Sequence, residues 1–299
     1  MHISNQLGLR KKPLLSLVIW LAVSLAIPVV QAQVTLHDNN SDATVNLGNT
    51  GTLGMNSWNI NGIPQLSQQW FWYRVGSTGG QNPINTLSSP TINNQNANSV
   101  SVTYAGSQFS VNVSYLLQGG SSSSYQADIF ESISINNTSG SPLSLHFYQY
   151  SDFDLAGSPN GDQVTISQDT TVPPPNYYRA YQTKVAATTQ LAETVDSIYA
   201  NHAEAALFDP SHVNGTFDRL NSGSPYTLND VTAAGQPNGG DVTWAFEWDV
   251  LLDASGPNSS IDILKDKRLD VAPVPEPSGL ALLSLGVSVF ALRRLRRSA

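Results

Sequence analysis

Not one cysteine occurs in the 299 residues. That absence excludes disulfide staples, thiol nucleophiles and cysteine-ligated metal together, so an exported domain built from this chain must be held by an apolar core. Basic residues are scarce as well. Seven of the 14 Lys and Arg side chains sit in the first 12 or the last seven residues, which leaves Arg74, Arg179, Lys184, Arg219, Lys265, Lys267 and Arg268 between 33 and 275. Against 21 acidic residues over the same span, the net charge there is −14. Such a surface repels phosphate backbones, which argues against nucleic acid as a partner and leaves neutral glycans and divalent cations compatible. Also missing are Gly-x-Ser-x-Gly, His-Glu-x-x-His and a glycine loop running into Lys-Ser/Thr, so the common serine-hydrolase, zinc-protease and nucleotide signatures are absent.

Apolar runs are short, and the two longest lie at the ends. Arg10, Lys11 and Lys12 precede the apolar stretch from Leu14 to Ile27, and Val30-Gln31-Ala32 then offers the small residues that signal peptidase reads. Residues 1–32 read as a cleavable signal peptide, because the run falls short of the roughly 20 residues of a span and Pro28 breaks it. At the other end, Gly279 to Leu292 forms an apolar run of 14 residues followed by Arg293, Arg294, Arg296 and Arg297. Arginines held on the cytoplasmic side place everything upstream outside, so the two ends agree on topology. An ordinary C-terminal single-span anchor is the alternative for this tail.

The order Val274-Pro275-Glu276-Pro277-Ser278, short apolar helix, terminal arginine cluster resembles the PEP-CTERM sorting signal of Gram-negative bacteria. The resemblance implies an exosortase as processing partner, membrane contact through the tail helix before cleavage near Pro275, Glu276 and Pro277, and a final place at the cell surface or in an exopolysaccharide matrix. Within the body, Gln69 to Gly76, Tyr148 to Leu155 and Gly240 to Asp249 resemble segments of an uncharacterised group of PEP-CTERM proteins, to which no activity is attached.

Between these addresses, runs rich in Val, Ile, Thr, Tyr and Phe alternate with Ser/Thr/Asn/Gly clusters every ten to fifteen residues. That spacing predicts an all-β fold, a predominantly antiparallel β-sandwich of one domain over 33–272 with one face of each sheet buried, followed by the sorting signal at 273–299. Ser99 to Tyr104 and Phe109 to Tyr115 alternate strictly around Gly106-Ser107, which predicts a tight hairpin. Further period-two runs are Ile129 to Ile135, Leu143 to Tyr150, Val164 to Ser167 and Val242 to Leu252. Residues 188–206 stay ambiguous: Leu191, Val195, Ile198, Tyr199 and His202 fall at helical spacing, while their β-branched neighbours favour a strand.

Three groups of side chains are candidates for chemistry. Trp70 and Trp72 share one face of a strand, as do Trp244 and Trp248, and indole rings can stack on sugars; burial in the core is the competing expectation. Asp152, Asp154 and Asp162 put carboxylates near one strand end and loop, an arrangement that can bind calcium, although the EF-hand spacing is absent and a solvated acidic loop would look the same. Glu131, Asp152, Asp154, Glu247 and Asp249 offer carboxylate pairs for glycoside hydrolysis, but so many acids make some pair inevitable. His37, His146, His202 and His212 stand apart in the sequence. The expectation is therefore a non-enzymatic exported surface or matrix protein, with a carbohydrate-binding protein or polysaccharide-acting enzyme using exposed tryptophans as the alternative.

Overall fold

The computed structural model describes residues 33–48, 51–171, 176–185 and 188–271. The stretch expected to be a signal peptide, the Pro275-Glu276-Pro277 motif and the arginine cluster lie outside the described residues.

In chain order the strands are β1 (Gln33–Asp38), β2 (Ser41–Asn46), β3 (Gly54–Ile60), β4 (Ile63–Pro64), β5 (Gln68–Val75), β6 (Asn82–Pro83), β7 (Thr91–Gln95), β8 (Ser99–Ala105) and β9 (Phe109–Gly119). They continue with β10 (Gln126–Asn137), β11 (Leu143–Asp152), β12 (Asp162–Asp169), β13 (Asn176–Lys184), β14 (Gln190–Ser197), β15 (His202–Leu207), β16 (Ala233–Ala234), β17 (Val242–Leu252) and β18 (Ser260–Asp270). The first sheet runs β1-β2-β3-β5-β11-β17-β15, and the second runs β16-β12-β13-β14-β18-β10-β9-β8-β7. All of these neighbours pair antiparallel.

Alternation in the sequence becomes alternation in space. In β9 the buried residues Phe109, Val111, Val113, Tyr115 and Leu117 point inward, while Ser110, Asn112, Ser114 and Leu116 stay on the outer face. Ala105 pairs with Ser110 across the expected hairpin at Gly106-Ser107. The ambiguous stretch resolves into β14 and β15. Its inward set is Leu191, Glu193 and Val195, at strand spacing, and the chain breaks at Ile198, which takes a positive φ of 48°.

The first sheet departs from the expectation of one buried face. Along β11 every residue from Phe147 to Asp152 is buried, and along β17 every residue from Val242 to Trp248. The reason is a cover: the segment from Phe208 to Thr232, carrying one short helix, α1 (Thr216–Leu220), crosses the sheet's outer face and packs Phe217 against Trp72 and Tyr150. Two glycines permit close approaches here. A Cβ on Gly54 would lie 2.1 Å from the Gln69 carbonyl oxygen, and one on Gly80 would lie 2.4 Å from the Gly223 backbone, where the cover meets the loop after β5.

Candidate active site on the covered face of the first sheet

Register defines the site. On the outer face of the sheet one cross-strand row is Arg74–His146–Asp249, the next is Trp72–Tyr148–Glu247–His202, and the third is Trp70–Tyr150–Ala245–Glu204. The cover spans the third row and part of the second. Buried Glu204 anchors it, accepting hydrogen bonds from the Thr216 hydroxyl, the Arg219 guanidinium, the Tyr226 hydroxyl and, at 3.1 Å, the Asn229 backbone N–H. Glu247 holds the Leu228 N–H at 2.8 Å, and Tyr148 donates to the Tyr226 carbonyl at 2.8 Å.

The first row and His202 are left half open. His146 Nδ1 hydrogen-bonds Asp249 and sits 3.5 Å from Glu247 Oε1; the side-chain exposures are 19% for His146, 34% for Asp249 and 0% for Glu247. On the other side of Asp249, His202 Nε2 lies 3.7 Å from its Oδ2, and His202 Nδ1 is held by Asp230 at 3.0 Å. Asn201 fixes the Asp249 backbone N–H at 2.8 Å. Donation to the Asp249 and Glu247 carboxylates pushes His146 up to about 9 against the opposing effect of burial. Burial alone would raise Asp249, but the bond and charge of His146, with the charge of His202, hold it below the usual carboxylate range. At neutral pH the pair is an imidazolium and a carboxylate. His146 Nε2 has no hydrogen-bond partner among the described residues, so it remains a donor. Arg74, across the ladder from His146, donates to the Gly76 carbonyl at 2.6 Å and lines a neighbouring cavity of about 460 Å³.

The tryptophans take the core place and do not form a sugar-stacking platform. Trp70, Trp72, Trp244 and Trp248 are exposed by 1, 2, 0 and 0%, so none presents a ring face to a ligand. Trp72 packs edge-on to Tyr150 and Phe217, Trp244 stacks on Phe153 at 5.2 Å, and Trp248 donates to the Ile198 carbonyl at 2.7 Å. An aromatic strand in a sheet covered on both sides has core on both sides. Glu131 is also withdrawn from any cleft: it lies between the sheets, fully buried, with the Lys265 and Lys267 ammonium groups each 2.6 Å away. Asp152 and Asp154 do come together, but their third partner is Asp241, not Asp162. Asp162 turns to Lys184 at 3.3 Å and to the Leu155 N–H at 3.3 Å. The sequence pointed to Glu247 and Asp249 only as two acids among many, and it left His146 and His202 isolated. Their meeting depends on β11, β15 and β17 being sheet neighbours, which no local spacing encodes.

No known family and no curated protein matches the sequence. Solved structures do match the fold. The chain is similar to a bacterial glucoamylase solved with acarbose, at 8% identity and a TM-score of 0.53, over 83% of this chain and 32% of that one. It therefore spans about a third of the glucoamylase's length. It is also similar to a galactose mutarotase related enzyme from Lactobacillus acidophilus, at 7% identity and a TM-score of 0.52, over 81% of this chain and 100% of that one. Likeness at this identity defines a shared two-sheet fold. It overturns the expectation of a non-enzymatic protein: that expectation rested on seeing no catalytic constellation in the sequence, yet the fold is one that enzymes use and its outer face assembles acid and base groups.

Proposed function

We propose that this protein is an exported, carbohydrate-directed protein that performs acid–base chemistry at His146, Asp249 and Glu247. The observation that carries the proposal is the imidazole locked at Nδ1 between two carboxylates, with Nε2 free, at the open end of an otherwise covered polar face. The fold likeness to a galactose mutarotase related enzyme supports a sugar as the substrate class.

The simplest reaction these groups perform on a cyclic sugar is opening and reclosure of a hemiacetal. The His146 imidazolium gives its Nε2 proton to the ring oxygen as the bond from that oxygen to the anomeric carbon breaks. The ionised Asp249 takes the proton of the anomeric hydroxyl, leaving an open-chain aldehyde, and closure on the opposite face returns both protons. Glu247, with no exposed surface, positions the imidazole. An acid at about 9 stays protonated through neutral pH, so turnover should fall as pH rises through about 9.

Polarimetry or NMR of anomer exchange across neutral aldoses tests this. The expected result is exchange faster than in buffer alone, reduced on the order of a hundredfold by His146→Gln, the scale of general acid catalysis. Buffer-rate exchange with every sugar, or equal rates in wild type and variant, would refute it. Export and tail processing belong to the same proposal and rest on the two terminal segments.

A further inference from the structure

We infer that Asp152, Asp154 and Asp241 form a binding site for one calcium ion, separate from the acid–base group. Asp152 and His146 lie six positions apart on β11, or about 20 Å along a strand. The three acids converge from two parts of the chain: Asp152 ends β11, Asp154 follows it, and Asp241 stands immediately before the neighbouring β17. One carboxylate oxygen from each lies within 4.8 Å of the other two. Two oxygens on opposite sides of an ion at about 2.4 Å, inside the calcium range, are that far apart.

None of the three acids makes an ion pair among the described residues. The charge of Lys184 reaches Asp154 and Asp241, but its ammonium is already engaged with the Ser158 carbonyl at 2.6 Å, the Asn160 carbonyl at 2.5 Å and Asp162 at 3.3 Å. One lysine therefore faces four aspartates, and it is bonded to the one outside the trio.

A second observation points to a ligand. Asp152 is only 7% exposed and meets the other two acids, yet its Oδ1 has no hydrogen-bond partner. A buried carboxylate oxygen without a donor is costly unless a cation meets it.

Three carboxylates, some bidentate, with water completing six to eight oxygens, suit calcium better than the rigid octahedron of magnesium. The anionic body favours a cation over an anionic ligand.

The test is thermal unfolding of the purified protein at neutral pH, first in a chelator and then with millimolar CaCl2 or MgCl2, for wild type, Asp154→Asn, Asp241→Asn and Asp262→Asn. Asp262 is an exposed carboxylate on β18 and serves as the control. Calcium should raise the melting temperature of wild type and of the control in a saturable way, with magnesium doing less. Both site variants should lose affinity on the order of tenfold or more. In chelator they should unfold no earlier than wild type, because each removes a like charge from an uncompensated group, and that arm separates a lost ligand from a lost fold. No calcium shift in wild type, or the same shift in Asp241→Asn as in wild type, would overturn the site.

Discussion

His146 shows how much one side chain's surroundings decide. An ordinary histidine is mostly neutral at pH 7; here hydrogen bonds to Asp249 and Glu247 lift it from 6.5 to about 9. A group whose folded pKa is raised adds stability in full below its unfolded value, and that contribution is lost as pH rises through the folded value. Stability from His146 is thus complete below about 6.5 and gone well above 9. Urea midpoints taken at steps from neutral to alkaline pH should fall across this window in wild type and fall less steeply in His146→Gln. Equal slopes would mean that the imidazole does not hold its proton as the geometry implies. At the same scale the aspartates divide by what lies beside them. Asp162 has Lys184 and the Leu155 N–H, whereas Asp152 meets other carboxylates.

At the scale of elements, the cover over the first sheet is the part of the structure that makes a site of a sheet face. It carries only the five-residue α1 and is fastened by polar contacts, four of them to Glu204. Replacing a member of a buried ion pair costs roughly 3–5 kcal/mol, and the partial exposure of Arg219 puts this pair toward the lower end. Glu204→Ala should therefore lower unfolding stability by about 3 kcal/mol. Backbone N–H groups of residues 208–232 should lose hydrogen-exchange protection first, ahead of β11 and β17. Uniform loss of protection across both sheets would show that the cover is not a separable unit. The strands themselves were legible from alternation, as in β9 and β10, because a half-buried strand writes its two faces into its sequence. The cover was not, because a segment held by scattered polar contacts has no period.

For the whole molecule, the two sheets enclose a charged knot within an apolar core. Glu131 pairs across the ladder with Lys265, and Glu193 with Lys267, all but fully buried, while Gln149 of the first sheet donates to Glu193 at 2.7 Å. A one-residue slip of β18 against either neighbour would leave these charges unpaired in a dry interior, so the knot penalises wrong registers. Delivery also belongs to this scale. Intact-mass analysis of protein recovered from the producing cell's surface and medium should show a species starting near Gln33 and ending near Pro275. Retention of Arg293 to Ala299 in that species would argue instead for a membrane-anchored protein.

By itself the sequence determined the all-β class, most strand positions and the anionic cysteine-free body, because composition and short-period patterns are local properties. Tertiary structure alone decided that Trp70, Trp72, Trp244 and Trp248 are core, that His146 meets Asp249 and Glu247, and that Asp241 rather than Asp162 joins Asp152 and Asp154. Those outcomes follow from which strands become neighbours and which face is covered. Both are set by the simultaneous burial of two sheets, and no single stretch of the chain carries that information.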